Sequence, residues 1–192
     1  MTQLSLFSAD LTPPVGDDLG GLLAANGQLE TAGDGVRLMI RLTDSWRARA
    51  LVRECRVRDV SAHVHIEDEV TVLRTDPAPA LAQLSMQWLD GSVKVAPPEV
   101  ELSAGLLRCW AIAAGRPAAV GYLLGLDPQT PEIHESLAGC CAAIGLAGSL
   151  IGPRAGGPAM RIVGLRRCSR LADMVGTPPP EAPAGQFPQP AH

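Results

Sequence analysis

Two short stretches of small apolar residues, each closed by a glycine, constrain this chain more than anything else in it. Residues 19–27 read Leu-Gly-Gly-Leu-Leu-Ala-Ala-Asn-Gly, and residues 107–115 echo them as Leu-Arg-Cys-Trp-Ala-Ile-Ala-Ala-Gly. Glycine and alanine on one helical face leave no side chain to hold two backbones apart, so such helices pack backbone against backbone. The contact surface this predicts is Gly20, Gly21 and Ala24 of the first helix against Ala111 and Ala114 of the second. At 192 residues the chain has room for two small halves with a shared core.

Periodicity extends the duplication. Residues 16–26 read as a helix, with Asp17 and Asp18 where acids favour the dipole and Gly27 as its stop. Residues 28–32 and 36–43 alternate around Gly33-Asp34-Gly35 as a hairpin. On the second strand Leu38, Ile40 and Leu42 face one way, and Arg37, Met39 and Arg41 the other. Residues 44–55 form a helix with Ala48, Leu51, Val52 and Cys55 inward, and Arg47, Arg49, Arg53 and then Arg56 outward. A second hairpin spans 61–66 and 69–74, with Ala62, Val64 and Ile66 toward the core and Ser61, His63 and His65 away from it. A third helix, 77–89, completes an αββαββα order. After a linker the pattern returns as a helix at 102–114, an extended run at 118–126, a helix at 131–146, strands at 147–151 and 159–165, and a helix at 166–175.

The expected architecture is therefore α+β, a pseudo-duplicated αββαββα fold with two antiparallel sheets. Its parts are a flexible N-terminal arm (1–15), a first half (16–90), a linker (91–101), a second half (102–176) and a tail (177–192). The tail holds six prolines and little to bury, and reads as disordered.

Composition narrows the function. A hydrophobic fraction of 46% with 19% charged residues is that of a folded globule, and 3% aromatics leave the core to Leu, Val, Ile, Ala and Met. A net charge of −4 argues against a strongly basic nucleic-acid binder, yet residues 36–74 and 147–176 are each net positive. Lys94 is the sole lysine, every other basic residue being arginine. Two readings of that bias stand: arginine's fork suits phosphate, and a high-GC genome prefers its codons. The start of the chain lacks a charged segment followed by an apolar one, so no signal peptide is expected. The uncharged run at 136–153 is broken by Gly139, Gly145, Gly148 and Gly152, which speaks against a membrane span. Five cysteines without CxxC spacing read as reduced core thiols of a cytoplasmic protein.

The nine residues 19–27 resemble the LAGLIDADG signature of homing endonucleases, and two αββαββα units are the layout of a monomeric member. The run 21–176 is similar, more specifically, to the N-terminal region of the WhiA family of bacterial sporulation regulators. The similarity rests on Gly-Leu-Leu-Ala-Ala-Asn-Gly at the opening, the Arg-rich helix, Leu89-Asp90-Gly91, Pro97-Pro98-Glu99-Val100, residues 107–115 and the closing 171–176. It implies two signature helices packed together and two sheets forming a saddle for DNA. The regulator's helix-turn-helix domain has no counterpart, and the first hairpin of the second half is compressed.

An endonuclease of this type needs one carboxylate at the end of each signature helix, to hold divalent metal between the halves. Those positions read Asn26 and Ala114, so the resemblance implies a scaffold without catalytic residues, metal or cofactor. It also places Arg37, Arg41, His63 and His65 on the face that would meet DNA. A solvated sheet face alternates in the same way, and His63 with His65 has the spacing of a strand metal pair but no third ligand. At the N-terminus, Gln3-Leu4-Ser5-Leu6-Phe7 resembles the QL(S/D)LF peptide by which many bacterial replication and repair proteins dock on the sliding clamp. The other reading of those residues is an edge strand or staple over the protein's own core. No small-molecule site or membrane partner is expected. The function expected is a non-catalytic, clamp-tethered DNA accessory protein. The alternative is a module that binds only protein.

Overall fold

The structure is a computed structural model and describes residues 8–33, 35–97 and 101–189. The first signature helix, α1, is short, Gly20–Ala24, and is entered through a 3-10 turn at Gly16–Leu19. The first half continues with β1 (Gln28–Ala32), β2 (Gly35–Leu42), α2 (Ser45–Arg56), β3 (Ala62–Glu67), β4 (Val70–Thr75) and α3 (Pro79–Trp88). A two-residue pair, β5 (Leu89–Asp90) with β6 (Val93–Lys94), follows. The second half repeats the order as α4 (Ala104–Ala114), β7 (Gly115–Pro117), β8 (Tyr122–Gly125), α5 (His134–Ala143), β9 (Ser149–Ile151), β10 (Ala159–Ile162) and α6 (Leu165–Val175). Each half folds its four strands into one antiparallel sheet, ordered β1-β2-β4-β3 and β7-β8-β10-β9. The same placement of fourth strand beside second in both sheets is the duplication that the paired signature stretches predict.

One apolar core runs through both halves. Leu22, Leu38, Ile40, Leu51, Leu73 and Leu84 of the first are continuous with Leu107, Trp110, Ile112, Leu124, Met160 and Ile162 of the second. At its centre α1 crosses α4. A Cβ on Gly21 would fall inside contact distance of the Leu106 carbonyl oxygen and 2.6 Å from the Trp110 nitrogen, so the backbones touch where a side chain would stand. Gly105 has the same role one turn earlier, against the Asp18 carboxylate. Ala24 and Ala111 are wholly buried. Gly20 departs from the expected pairing: its open side is filled 3.1 Å away by the Trp88 indole of α3 rather than by α4.

Buried charges tie the crossing to its surroundings. Asp18 Oδ2 accepts from Arg58 Nη2 at 2.8 Å, and Asp18 Oδ1 from the Ser103 hydroxyl at 2.6 Å. Ser103 Oγ also accepts from the Leu106 N–H, which starts α4. Arg58 turns its Nη1 to Glu54 at 2.8 Å, and Glu54 accepts from Arg108 Nε of the second half at 2.7 Å. Arg108 donates onward to the carbonyls of Val175 and Thr177. Every charge has an opposite partner, the condition under which ions survive burial.

The structure corrects four expectations. The tail is packed, not disordered, over residues 177–189. Phe187 is 2% exposed and lies under Arg108, Tyr122 Oη donates to the Gln186 carbonyl at 2.9 Å, and Arg53 pairs with Glu181. Its prolines carry no N–H to satisfy and have little backbone freedom to lose, so one aromatic anchor suffices. The arm is anchored from Ser8 onward. Ser8 is buried, Ala9 N–H donates to the Met174 carbonyl, and Asp10 accepts from Thr177 N–H and hydroxyl. Residues 118–126 are not one strand, because β7 begins directly at Gly115 and turns back through Gly121 into β8. On β3, Val64 and Ile66 are 43% and 71% exposed, since this edge strand runs past the helical layer that covers Ala62. The peptide Gln3–Phe7 lies outside the described residues. No helix among the described residues is long and apolar enough to cross a membrane.

Two glycines in helices make opposite predictions. Gly21→Ala should cost about 1–3 kcal/mol, because backbone on α4 must give way. Gly139→Ala in α5, where a Cβ meets nothing within 4 Å, should gain about 0.5–1 kcal/mol. Thermal melting of the two variants beside wild type checks both signs.

Candidate nucleic-acid interface

Strand register decides which side chains share a face. In the first sheet Met39 pairs with Arg74 and Arg74 with His63, while Arg41 pairs with Val72 and Val72 with His65. Arg37 lies opposite Glu30 on β1. Arg37, Arg41, His63 and His65 therefore occupy one face, the side turned away from Leu38, Ile40 and Leu73, and all four are exposed. The face brings Arg41 and His65 into one cross-strand row. His63 stands in the next row and bonds Asp76 at 3.2 Å, while Arg74 pairs with Glu67 at 2.7 Å. His63 and Arg74 thus each have a carboxylate partner, whereas the Arg41 guanidinium has none among the described residues.

The second sheet carries arginines of its own. Its core side carries Tyr122, Leu124, Met160 and Ile162. The other side holds the row Arg116, Leu123, Arg161 and Ser149, followed by Gly125, Ala159 and Ile151, with no acid among them. Neither arginine is among the residues that sequence reasoning singles out. Arg161 carries a signal, the alternation of Met160, Arg161 and Ile162. Arg116 carries none, because a three-residue strand is too short to alternate.

The signature helices end between the two sheets. Asn26 is half-buried there and donates from Nδ2 to the Arg41 carbonyl at 3.1 Å. Ala114 presents only a methyl group. Each helix end is instead capped by a buried cation. Lys94 Nζ reaches the Leu23 and Gly27 carbonyls at 3.1 and 2.6 Å and the Asp127 carboxylate at 2.5 Å. Burial pushes the Lys94 pKa below the usual lysine value, against the opposing pull of Asp127. Arg47, expected on the outer face of α2, is 5% exposed and donates to the Ile112 and Gly115 carbonyls, each at 2.6 Å. It caps α4, because the last carbonyls of a helix are a cation's natural partner. The helix charge pattern hid this: periodicity assigns an arginine to solvent unless a partner element is known.

Around these ends lies an open hollow of about 440 Å³, lined from both halves and flanked by Arg41, Arg47 and Arg116. A divalent metal of the kind an acid-bearing signature would hold does not fit this lining. It contains no carboxylate, Asn26 offers one neutral oxygen at most, Ala114 has no side-chain ligand atom, and three guanidinium groups repel a cation. No group of three or more His, Cys, Asp or Glu among the described residues is arranged to hold a metal ion.

A pair of small-residue helices crossing at the centre, each followed by an antiparallel sheet of 1-2-4-3 order, defines a LAGLIDADG-type fold. Among solved structures, the homing endonuclease I-WcaI bound to its DNA recognition sequence is similar over 93% of this chain and 85% of its own, with a TM-score of 0.61 and 14% identity. The N-terminal LAGLIDADG domain of DUF199/WhiA is similar over 85% of this chain and 81% of its own, with a TM-score of 0.57 and 12% identity. Full-length DUF199/WhiA from Thermatoga maritima gives 0.59 at 12% identity, and the match spans 55% of that chain. No family model matches the sequence, and none of the curated proteins matches it.

The Lys94 cap has a measurable consequence. Lys94→Met should destabilise the protein by about 3–5 kcal/mol, because Asp127, at 1% side-chain exposure, loses its counter-ion. Asp127→Leu added to Lys94→Met should restore a large part of that loss in denaturant titration. A double variant no more stable than Lys94→Met alone would refute the pairing.

Proposed function

We propose that this protein is a non-catalytic DNA-associated accessory factor of the bacterial cytoplasm, which meets the duplex with the arginine-bearing faces of its two sheets. The observation that carries the reading is the pairing of arginines on both faces, Arg37 and Arg41 on one and Arg116 and Arg161 on the other. The fold is shared with a homing endonuclease solved on its DNA recognition sequence, which supports a DNA-associated role here. Arginine forks give sequence-independent phosphate contacts, and His63 and His65 would add further hydrogen bonds. With Asn26 and Ala114 in the signature positions, the chain has no acid pair to activate water at the junction.

The N-terminal peptide completes the proposal. Leu4, Leu6 and Phe7 offer about 1.5–3 kcal/mol each on entering apolar pockets of a sliding clamp, less the cost of ordering, with Gln3 and Ser5 for hydrogen bonds. Tethering raises the effective concentration at DNA, so a net acidic chain needs only weak intrinsic affinity.

Duplex binding should appear at low salt and fall steeply as salt rises. Arg37→Ala/Arg41→Ala and Arg161→Ala should each lower the slope of log K against log salt by about 0.9 for every phosphate no longer neutralised. Clamp pull-down should succeed with wild type and fail with Leu6→Ala/Phe7→Ala. No duplex binding at low salt would leave the protein-only module as the reading, and divalent-dependent cleavage of plasmid would overturn the non-catalytic one.

A further inference from the structure

The hollow at the ends of the signature helices has no role so far. Its charged lining residues are Arg41, Arg47 and Arg116. Arg47 is spent, since Nη1 and Nη2 cap α4 and Nε pairs with Asp44. Arg116 uses one donor on the Gly156 carbonyl, which leaves the rest of its fork for a ligand. The Arg41 guanidinium has no hydrogen bond or ion pair among the described residues, and its backbone is pinned by Asn26. The remainder of the wall includes Ala25, Ala113, Ala114, Gly125, Gly156 and Gly157, residues too small to fill the space. Arg41 and Arg116, from opposite halves, thus line one roomy hollow whose wall holds no acid.

We propose that this hollow is a metal-free phosphodiester site, in which Arg41 of the first half and Arg116 of the second together hold one backbone phosphate. The inference rests on the DNA-binding reading and sharpens it. Where an acid-bearing signature would need a divalent ion between its carboxylates and the phosphate, this lining presents the cations itself. Two forks converging on one phosphate also bridge the halves, so the contact depends on both arginines at once. A single phosphate shared by two residues behaves differently from two independent contacts. Losing either arginine forfeits most of the site, and losing the second adds little.

The test is fluorescence anisotropy of the full chain with a labelled random-sequence duplex, in EDTA and in Mg²⁺. Wild type should bind equally in both. Arg41→Met and Arg116→Met should each weaken binding about tenfold and lower the salt slope by about one. The double variant should be little weaker than either single one. Arg49→Met on the outer side of α2 controls for net charge and should leave binding unchanged. Melting curves identify any variant that fails to fold, and Arg116→Lys then replaces Arg116→Met, with a smaller loss expected because the fork is gone. If wild type binds but the double variant stays within twofold, this site is wrong while the DNA reading stands. A multiplicative loss in the double variant overturns the shared phosphate, and loss of binding in EDTA overturns the metal-free claim. If wild type binds no duplex, the DNA reading fails. Inorganic phosphate then decides whether the hollow takes free phosphate, by an Arg41- and Arg116-dependent melting shift over chloride of equal ionic strength, and its absence ends the proposal.

Discussion

Everything in this molecule is arranged around the place where α1 and α4 touch. Gly21 lets the Leu106 carbonyl and Trp110 nitrogen come closer than any side chain would allow, and Gly105 admits the Asp18 carboxylate beside it. So close a crossing leaves no room for apolar side chains between the helices. Cohesion there comes from backbone contact and from charge. The chain Ser103–Asp18–Arg58–Glu54–Arg108 runs around the crossing and joins the two halves through fully paired ions. An interior of this kind is specified by geometry more than by hydrophobic area, because removing one member strands the next.

The same crossing fixes what the functional surface can be. Helices that meet backbone to backbone aim both C-terminal ends into the gap between the sheets, where their unpaired carbonyls need an answer. Lys94 and Arg47 supply it from opposite directions. Both cations are themselves paired, Lys94 with Asp127 and Arg47 with Asp44, which leaves the positive charge around these ends to Arg41 and Arg116 and, further out, to the acid-free face of the second sheet.

Much of this plan is legible in the chain, and the parts that are not share a cause. Hairpins and amphipathic helices follow from periods of two and 3.6, so the αββαββα order and its repeat can be read directly. Gly20 and Gly21 can be named as contact residues, but their neighbours cannot, and Gly20 serves Trp88. Charged residues are the larger blind spot. Arg47, Arg58, Glu54 and Lys94 are buried because their partners lie tens of residues away, and a helical wheel carries no record of that. Phe187 hides in the same manner, since a proline-rich context masks a single anchor. Val64 and Ile66 mislead in the opposite direction, alternating correctly on an edge strand that runs past its helical cover.

Residues 8–10 pack against the C-terminal end of α6. Ala9 is bonded to the end of α6, and Asp10 sits over Gly176 and holds Thr177. With Ser8 already buried, no slack separates the folded body from Gln3–Phe7. Any protein that grips those residues must therefore accept the C-terminal end of α6 and the 177–189 strap against its own surface. Such a coupling orients its load. It would hold the molecule in a narrow range of attitudes, and lengthening the spacer after Phe7 would change direction before it changed affinity.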